Sequence, residues 1–267
     1  MYDFNYHRPS SLDEAVTLLG QGEDVKVLAG GHTLLPTMKQ RLAAPSDVVD
    51  LSRIAALKGI EATEGAVRIG AATSHADVAA SGEVRNRIPA LAALAARIGD
   101  PHVRNRGTLG GSIANNDPNA DYPAACLALG ATIVTTKREI AADDFFVDMF
   151  ETALDEDEIV TRVDFPVPRR AGYAKFPNPA SRYALVGVFV AEGGDGIRAA
   201  VTGAGPCVFR VPEMEAALGH DFSPAALEGI KVDAGGLNAD IHASADYRAH
   251  LVGVMARRAV EAALEGR

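Results

Sequence analysis

Cysteine is nearly missing from this sequence: the 267 residues contain two, Cys126 and Cys207, far apart and without CxxC spacing. An iron–sulfur cluster or structural zinc held by this chain alone needs about four clustered ligands, so both are excluded. Tryptophan is absent and aromatic residues make up 6%. Any stacking on a flavin or a base therefore falls to a few Tyr and Phe side chains. No basic run exceeds Arg169-Arg170, and the formal net charge is −9. A chain of that sign repels phosphate backbones, which argues against nucleic acid as a partner. If a phosphorylated ligand binds, backbone N–H groups must do most of the holding. No apolar run approaches the roughly 18 residues of a membrane span. The N-terminus, MYDFNYHRPSSLDEA, has neither the basic start nor the apolar stretch of a signal peptide, so the expected location is the cytoplasm. Seven histidines (His7, His32, His75, His102, His220, His242 and His250) form no HxxxH or HExxH pattern, and no metal site is expected.

What is present has an ordinary globular balance, 48% apolar and 23% charged. Ser11–Leu19 carries apolar residues at helical spacing, with Ser11 and Glu14 in capping-box positions. Asp24–Leu28 reads as a strand running into Ala29-Gly30-Gly31-His32-Thr33, then a helix over Leu34–Leu42 and a strand over Asp47–Leu51. Strand, glycine turn, helix, strand is a βαβ unit, so its two strands should be parallel. Ala66–Ala71 reads as a strand, and helix follows from His75 to Ile98 with interruptions at Ser81-Gly82 and Pro89. Asp100–Asp121 breaks all periodicity. Helix returns at Tyr122–Leu129, then strands at Ala131–Thr135 and Ile159–Phe165. Phe165–Gly172 reads as a domain linker. Beyond it, strands at Tyr173–Phe176, Leu185–Ala191 and Ile197–Thr202 precede helices around Pro212–Leu218 and Tyr247–Leu264, the order of a small α+β domain.

Two glycine clusters carry the functional signal. Consecutive glycines permit φ > 0 and close approach of a ligand to the backbone. The first, Ala29–Thr33, lies between strand and helix, where unpaired N–H groups make an anion site without lysine. Taken alone it reads better as a tight βα turn with no ligand. The second, Thr108-Leu109-Gly110-Gly111-Ser112, lies in an unpatterned segment longer than the roughly 12 to 15 residues beyond which plain loops are uncommon. Two such turns in one domain suit a ligand with a pyrophosphate gripped from two sides, a dinucleotide rather than a mononucleotide. Neither is a familiar fingerprint: GxxxxGK[ST] and a GxGxxG after a strand are both missing.

VLAGGHTLLP (27–36), NRGTLGGSIANNDPNADYP (105–123) and YAKFPNPASRYALVGV (173–188) resemble, in that order, three signature stretches of the FAD-binding medium subunits of molybdenum hydroxylases of the carbon monoxide dehydrogenase and xanthine dehydrogenase type. The resemblance implies an α+β protein with the vanillyl-alcohol-oxidase (PCMH) type of FAD-binding fold. Its two N-terminal α/β subdomains would span 1–57 and 58–168, and a C-terminal α+β domain with a three-stranded sheet and helices would span 169–267. It implies that FAD's pyrophosphate is held by Val27, Leu28, Ala29, Gly30, Gly31, His32, Thr33 and Leu34 from one side and by Thr108, Leu109, Gly110, Gly111 and Ser112 from the other. Asp121 is expected on the ribose or adenine side, and Lys175 near the flavin's pyrimidine edge, where a cation stabilises the charge of reduction. Ile98 and Val160 are expected to pack on the cofactor, and Tyr183 to stack on the isoalloxazine.

The resemblance also implies partners: a large molybdopterin-binding subunit and a small [2Fe-2S] subunit, as a dimer of heterotrimers. Their cofactors must lie on those chains, since neither domain is present here. Electrons would reach FAD from the [2Fe-2S] clusters and leave to an external acceptor, with no catalytic residue for the organic substrate on this chain. Asn115, Asn116 and Asp117 either cap a helix or contact FAD, and Arg104 and Arg106 face phosphate, partner or solvent. Lys175 has a plainer alternative as a surface strand lysine. Asp155–Glu158 reads as a solvated turn, and Cys126 as core. Two competing readings are a stand-alone flavin oxidase, for which the C-terminal portion is small, and a non-flavin binding module with structural glycine turns.

Overall fold

The βαβ unit forms as the pattern requires. In the computed structural model, which describes residues 1–266, a three-residue strand β1 (Asn5–His7) leads to helix α1 (Leu12–Leu19). The hydroxyl of Ser11 accepts from the Glu14 amide at 3.2 Å, while the Glu14 carboxylate reaches back to the amide of Ser10 rather than Ser11. Strand β2 (Val25–Leu28), helix α2 (Leu34–Lys39) and strand β3 (Asp47–Asp50) follow, and β2 lies parallel to β3. β1 pairs parallel to the other edge of β3, giving the order β1-β3-β2. Three residues are too few to show alternation, so β1 has no sequence signature.

The second sheet starts with β4 (Ile60–Ala62) and β5 (Ala66–Gly70). The long helical stretch is three helices: α3 (His75–Ala80), α4 (Gly82–Arg87) and α5 (Pro89–Ala96). Ser81 caps α4 through the Val84 amide, and Pro89 opens α5, where its missing N–H costs nothing. The segment read as unpatterned is not a loop. It holds α6 (Pro101–Arg106), capped by Asp100, and α7 (Leu109–Asn115), capped by Thr108. Gly110, Gly111 and Asn115 are poor helix formers, so composition conceals α7; burial of Leu109 and Ile113 sustains it. Helix α8 (Tyr122–Leu129) is wholly buried. Then come β6 (Thr132–Thr135), β7 (Glu139–Ala141), the one-turn α9 (Ala142–Phe145), a hairpin of β8 (Phe146–Asp148) and β9 (Glu151–Thr152), and β10 (Val160–Pro166). The sheet runs β4-β5-β10-β6-β7, antiparallel throughout.

The third sheet contains β11 (Arg170–Pro177), β12 (Ala184–Gly193), β13 (Gly196–Thr202) and β14 (Phe209–Arg210). It is four-stranded, not three-stranded, because the two-residue β14 adds to β13. The expected linker shrinks to residues 167–169, whose ends are tied by Val167 N–H to the Gly65 carbonyl and Arg169 N–H to the Glu192 carbonyl. Helices α10 (Pro212–His220) and α11 (Ala245–Leu264) close the chain. β12 is buried from Ala184 to Ala191 because both faces are covered, by the α8 core on one side and by α10 and α11 on the other. α11 lies so close that a Cβ on Gly172 would stand 2.0 Å from the Ala259 carbonyl. Among the described residues, no helix is long and apolar enough to cross a membrane.

Candidate functional site

The two glycine turns meet. A Cβ on Gly30 would fall 2.2 Å from the Arg106 carbonyl oxygen and 2.8 Å from Gly107 Cα, so only glycine lets the β2–α2 turn touch the α6–α7 junction. Gly31, at φ +76, takes the chain into the left-handed region there. A cleft of about 750 Å³ opens beside this contact. Its walls are the turn 26–34, residues 98–121 around α6 and α7, the hairpin tip at Phe150, and the Ser181–Tyr183 loop of the third sheet. A second cavity of about 490 Å³, lined by Ser52, Lys58, Thr73, Ser74, Asp77 and Asn105 among others, shares Ala29 and Thr108 with the first.

The turns differ in what they offer. The amides of Gly30, Gly31, His32 and Thr33 donate to no acceptor among the described residues. In the second turn the amides are already taken: Leu109 donates to the Thr73 carbonyl (3.1 Å), Gly110 to Ala71 (2.8 Å), Ser112 to Thr108 (3.0 Å) and Gly111 to the Thr108 hydroxyl (3.1 Å). The expected grip from two sides is therefore one donor turn facing a wall. A run of unpaired N–H groups in a cleft is a site for an anion. The helices behind the turns have six and seven residues, so the individual amides matter more than any helix dipole.

Charges of both signs line the cleft, Lys26 and Arg182 together with Asp117 and Asp121. His75, read from sequence as one of several scattered histidines, lies buried against the cleft behind Gly107, where a Cβ would come within 2.5 Å of its Nε2. Burial, with the charges of His32 and Arg104, lowers it to about 4, so its ring is neutral at neutral pH. The His75 and Tyr122 ring centroids are 5.4 Å apart, and neither His75 Nδ1 nor the Tyr122 hydroxyl has a hydrogen-bond partner among the described residues. Burial pushes the Asp117 carboxyl up, against the pull of the Asn119 amide. Asp121 also reaches the cleft, and its carboxylate is held from behind by Tyr173 and Lys175.

Most of the residues named from sequence converge here: Val27 through Leu34, Ile98, Thr108, Gly111, Ser112, Asp121 and Tyr183 all line the cleft. Five do not. Leu109 is core, and Gly110 packs on the Ala71 backbone, which a Cβ would strike at 2.9 Å. Val160 opens β10 and is buried in the core of the second sheet, its side chain taken up by that packing. Lys175 is neither a free cation at the cleft nor a surface lysine: it is buried and paired with Asp121. Asn116 does cap α7, but its carboxamide serves the Phe146–Thr152 hairpin. Phe150 and Arg182 join the cleft unforeseen, because both depend on how distant loops fold back. Their positive φ values, +57 and +63, leave no trace in residue type.

Residues 2–168 match the family model described as the FAD binding domain in molybdopterin dehydrogenase. The chain is 38% identical to the carbon monoxide dehydrogenase medium chain of Hydrogenophaga pseudoflava over 277 residues, covering 97% of this chain and 96% of that one. It is also 38% identical to the nicotine 6-hydroxylase medium subunit of Paenarthrobacter nicotinovorans, covering 96% and 95%. The solved carbon monoxide dehydrogenase of Hydrogenophaga pseudoflava, in a form lacking the Mo-pyranopterin moiety of the molybdenum cofactor, superposes with a TM-score of 0.89 over 98% of each chain, again at 38% identity.

Proposed function

Because this chain belongs to the family of FAD-binding domains of molybdopterin dehydrogenases, we propose that it binds FAD in the cleft and serves as the electron-transfer subunit of a multi-subunit molybdenum hydroxylase. The observation that carries this reading is the run of four unpaired amides, Gly30 to Thr33, on the wall of a cleft with a second cavity beside it. Those amides would hold the diphosphate. Gly30 keeps the two turns in contact, and Gly111, facing Ala29, keeps the wall opposite them low. Two cavities sharing a wall suit the two halves of a dinucleotide. Bound FAD supplies transfer of electrons singly or in pairs. This chain would exclude water from one side of the ring and leave another exposed to a partner. His75 is neutral on the cleft wall, and Asp121 is already engaged by Lys175 and Tyr173.

The relatives named medium chain and medium subunit are components of larger enzymes, and the chain covers nearly their whole length. By the same reading a large subunit carries molybdopterin, a small subunit carries the [2Fe-2S] clusters that deliver electrons, and the assembly is a dimer of heterotrimers working in the cytoplasm. Oxidation of the organic substrate takes place on the large subunit. The purified chain should take up FAD and turn yellow, yet leave organic substrates untouched until its partners are added. Flavin reduction by substrate in the isolated chain would replace this reading with a stand-alone oxidase. A chain that stays colourless and gives no heat on titration with FAD would leave only a binding module.

A further inference from the structure

Phe150 occupies the left-handed region at φ +57, sits at the tip of the β8–β9 hairpin and is 58% exposed. A bulky side chain in that region is strained, and strain of this kind persists only where the surroundings over-determine it. Here they do. The Phe150 amide donates to the Asn116 carbonyl at 3.1 Å, and the Asn116 carboxamide donates to the carbonyls of Asp148 and Glu151 at 2.8 Å each. Asn116 is itself left-handed, at φ 42, as the C-cap of α7, and is 1% exposed. One buried residue thus ties both sides of the hairpin to the helix that begins at the second glycine turn. A glycine or asparagine at 150 would relieve the strain and the apolar exposure together. Its neighbours Val147 and Met149 are exposed as well, but of the three only Phe150 lines the cleft.

The two cavities show which ligand surface it meets. The smaller is lined by hydroxyl, amide and charged groups interleaved with apolar ones such as Leu51 and Ile60, and has no aromatic side chain, as suits the nucleoside end of a dinucleotide. The larger carries Phe150 and Tyr183 at its rim, both exposed aromatics in a chain with few of them. A flat, largely apolar ring system is what two such side chains cover.

We propose that Phe150, fixed by Asn116, packs against the isoalloxazine ring of bound FAD; this rests on the FAD reading above. Asn116 is then a positioning residue, acting through the hairpin. The test uses the full chain stripped of flavin, titrated separately with FAD and with ADP. Phe150→Ala should weaken FAD binding about tenfold, the magnitude of one aromatic contact, leave ADP affinity unchanged, and raise the fluorescence of bound flavin. Phe150→Leu should fall between. Asn116→Ala should reproduce the selective loss of FAD with a lower melting temperature; because it can also impair folding, the Phe150 variants carry the test. Unchanged FAD affinity and fluorescence in Phe150→Ala would overturn the proposal, as would equal losses for FAD and ADP. A wild-type chain that takes up no FAD would overturn the parent reading and this one with it.

Discussion

The ammonium of Lys175 stands 2.8 Å from one carboxylate oxygen of Asp121 and 3.1 Å from the other, with both side chains buried. Asp121 precedes α8 at the edge of the cleft, whereas Lys175 lies on β11 of the third sheet. The Tyr173 hydroxyl donates to the same carboxylate. Lys175 also donates to the Arg97 carbonyl at 2.9 Å, and the Arg97 guanidinium donates to the Lys175 carbonyl at 3.1 Å. The network fastens the C-terminal sheet to the floor of the cleft. Burial pushes the Asp121 carboxyl up, against the pull of Lys175 and Tyr173.

Removing one partner of such a pair leaves a buried charge uncompensated, at a cost of about 3–5 kcal/mol. Lys175→Met should therefore lower the denaturant midpoint strongly, while Asp121→Asn combined with Lys175→Met should recover much of the loss. Equilibrium urea unfolding of the wild type and both variants checks this. Wild-type stability in Lys175→Met would mean that the pair does not hold the sheet to the cleft.

The glycines separate packing from ligand contact. Gly30→Ala forces a methyl into the Arg106 backbone carbonyl at 2.2 Å, so it should lower stability by about 2 kcal/mol or more as the turns part. Gly111→Ala meets the Thr108 hydroxyl at 2.9 Å and Ala29 Cβ at 3.5 Å. It should cost about 1 kcal/mol, the worth of a cap, while narrowing the cleft. Melting curves and FAD titration should show both properties lost in Gly30→Ala, but chiefly affinity in Gly111→Ala. Full FAD affinity in both variants would refute the placement of the diphosphate.

Legibility in the sequence followed the range of the interactions. Local signals were readable: the βαβ unit from its strand–glycine–helix order, the α3–α4 break from Ser81-Gly82, the β12–β13 turn from Gly193 to Gly196. The first glycine turn could be read as an anion site because consecutive glycines, strand and helix lie within one short segment. The second could be located but not interpreted, because its Leu109 and Gly110 amides are taken by Thr73 and Ala71, contacts some 40 positions away that no local pattern encodes.

The same limit explains the charged residues. Lys175 shows no periodicity that would place it inside, and its partner lies in another sheet's territory. Asp155–Glu158 reads as a solvated turn, and Asp155 and Asp157 are about half exposed, yet the Glu158 side chain is fully buried against Arg138 and Thr135. Buried charges betray themselves only through partners brought close by the fold.

Two buried groups contribute to the response to acid in adjoining windows that overlap only between about 4 and 4.5. Burial lowers His75 to about 4 from 6.5, so the folded chain resists its protonation. Its stabilising contribution is complete above the unfolded value and is lost as pH falls through the folded one, between about 6.5 and 4. Burial pushes the Glu158 carboxyl up, but hydrogen bonds from Arg138, Thr135 and the Asp155 amide outweigh it and hold it at about 2 against 4.5. That contribution is complete above 4.5 and fades as pH falls toward 2. His75→Leu should flatten the stability curve in the upper window only, at little cost at pH 7, because Nδ1 has no partner to lose. Glu158→Gln should be destabilised at pH 7 by about 2 kcal/mol, having lost charged hydrogen bonds, yet fall less steeply in the lower window. Urea midpoints measured from pH 8 to pH 2.5 resolve the two. An upper limb as steep in His75→Leu as in the wild type would show that the buried imidazole is not the group being titrated.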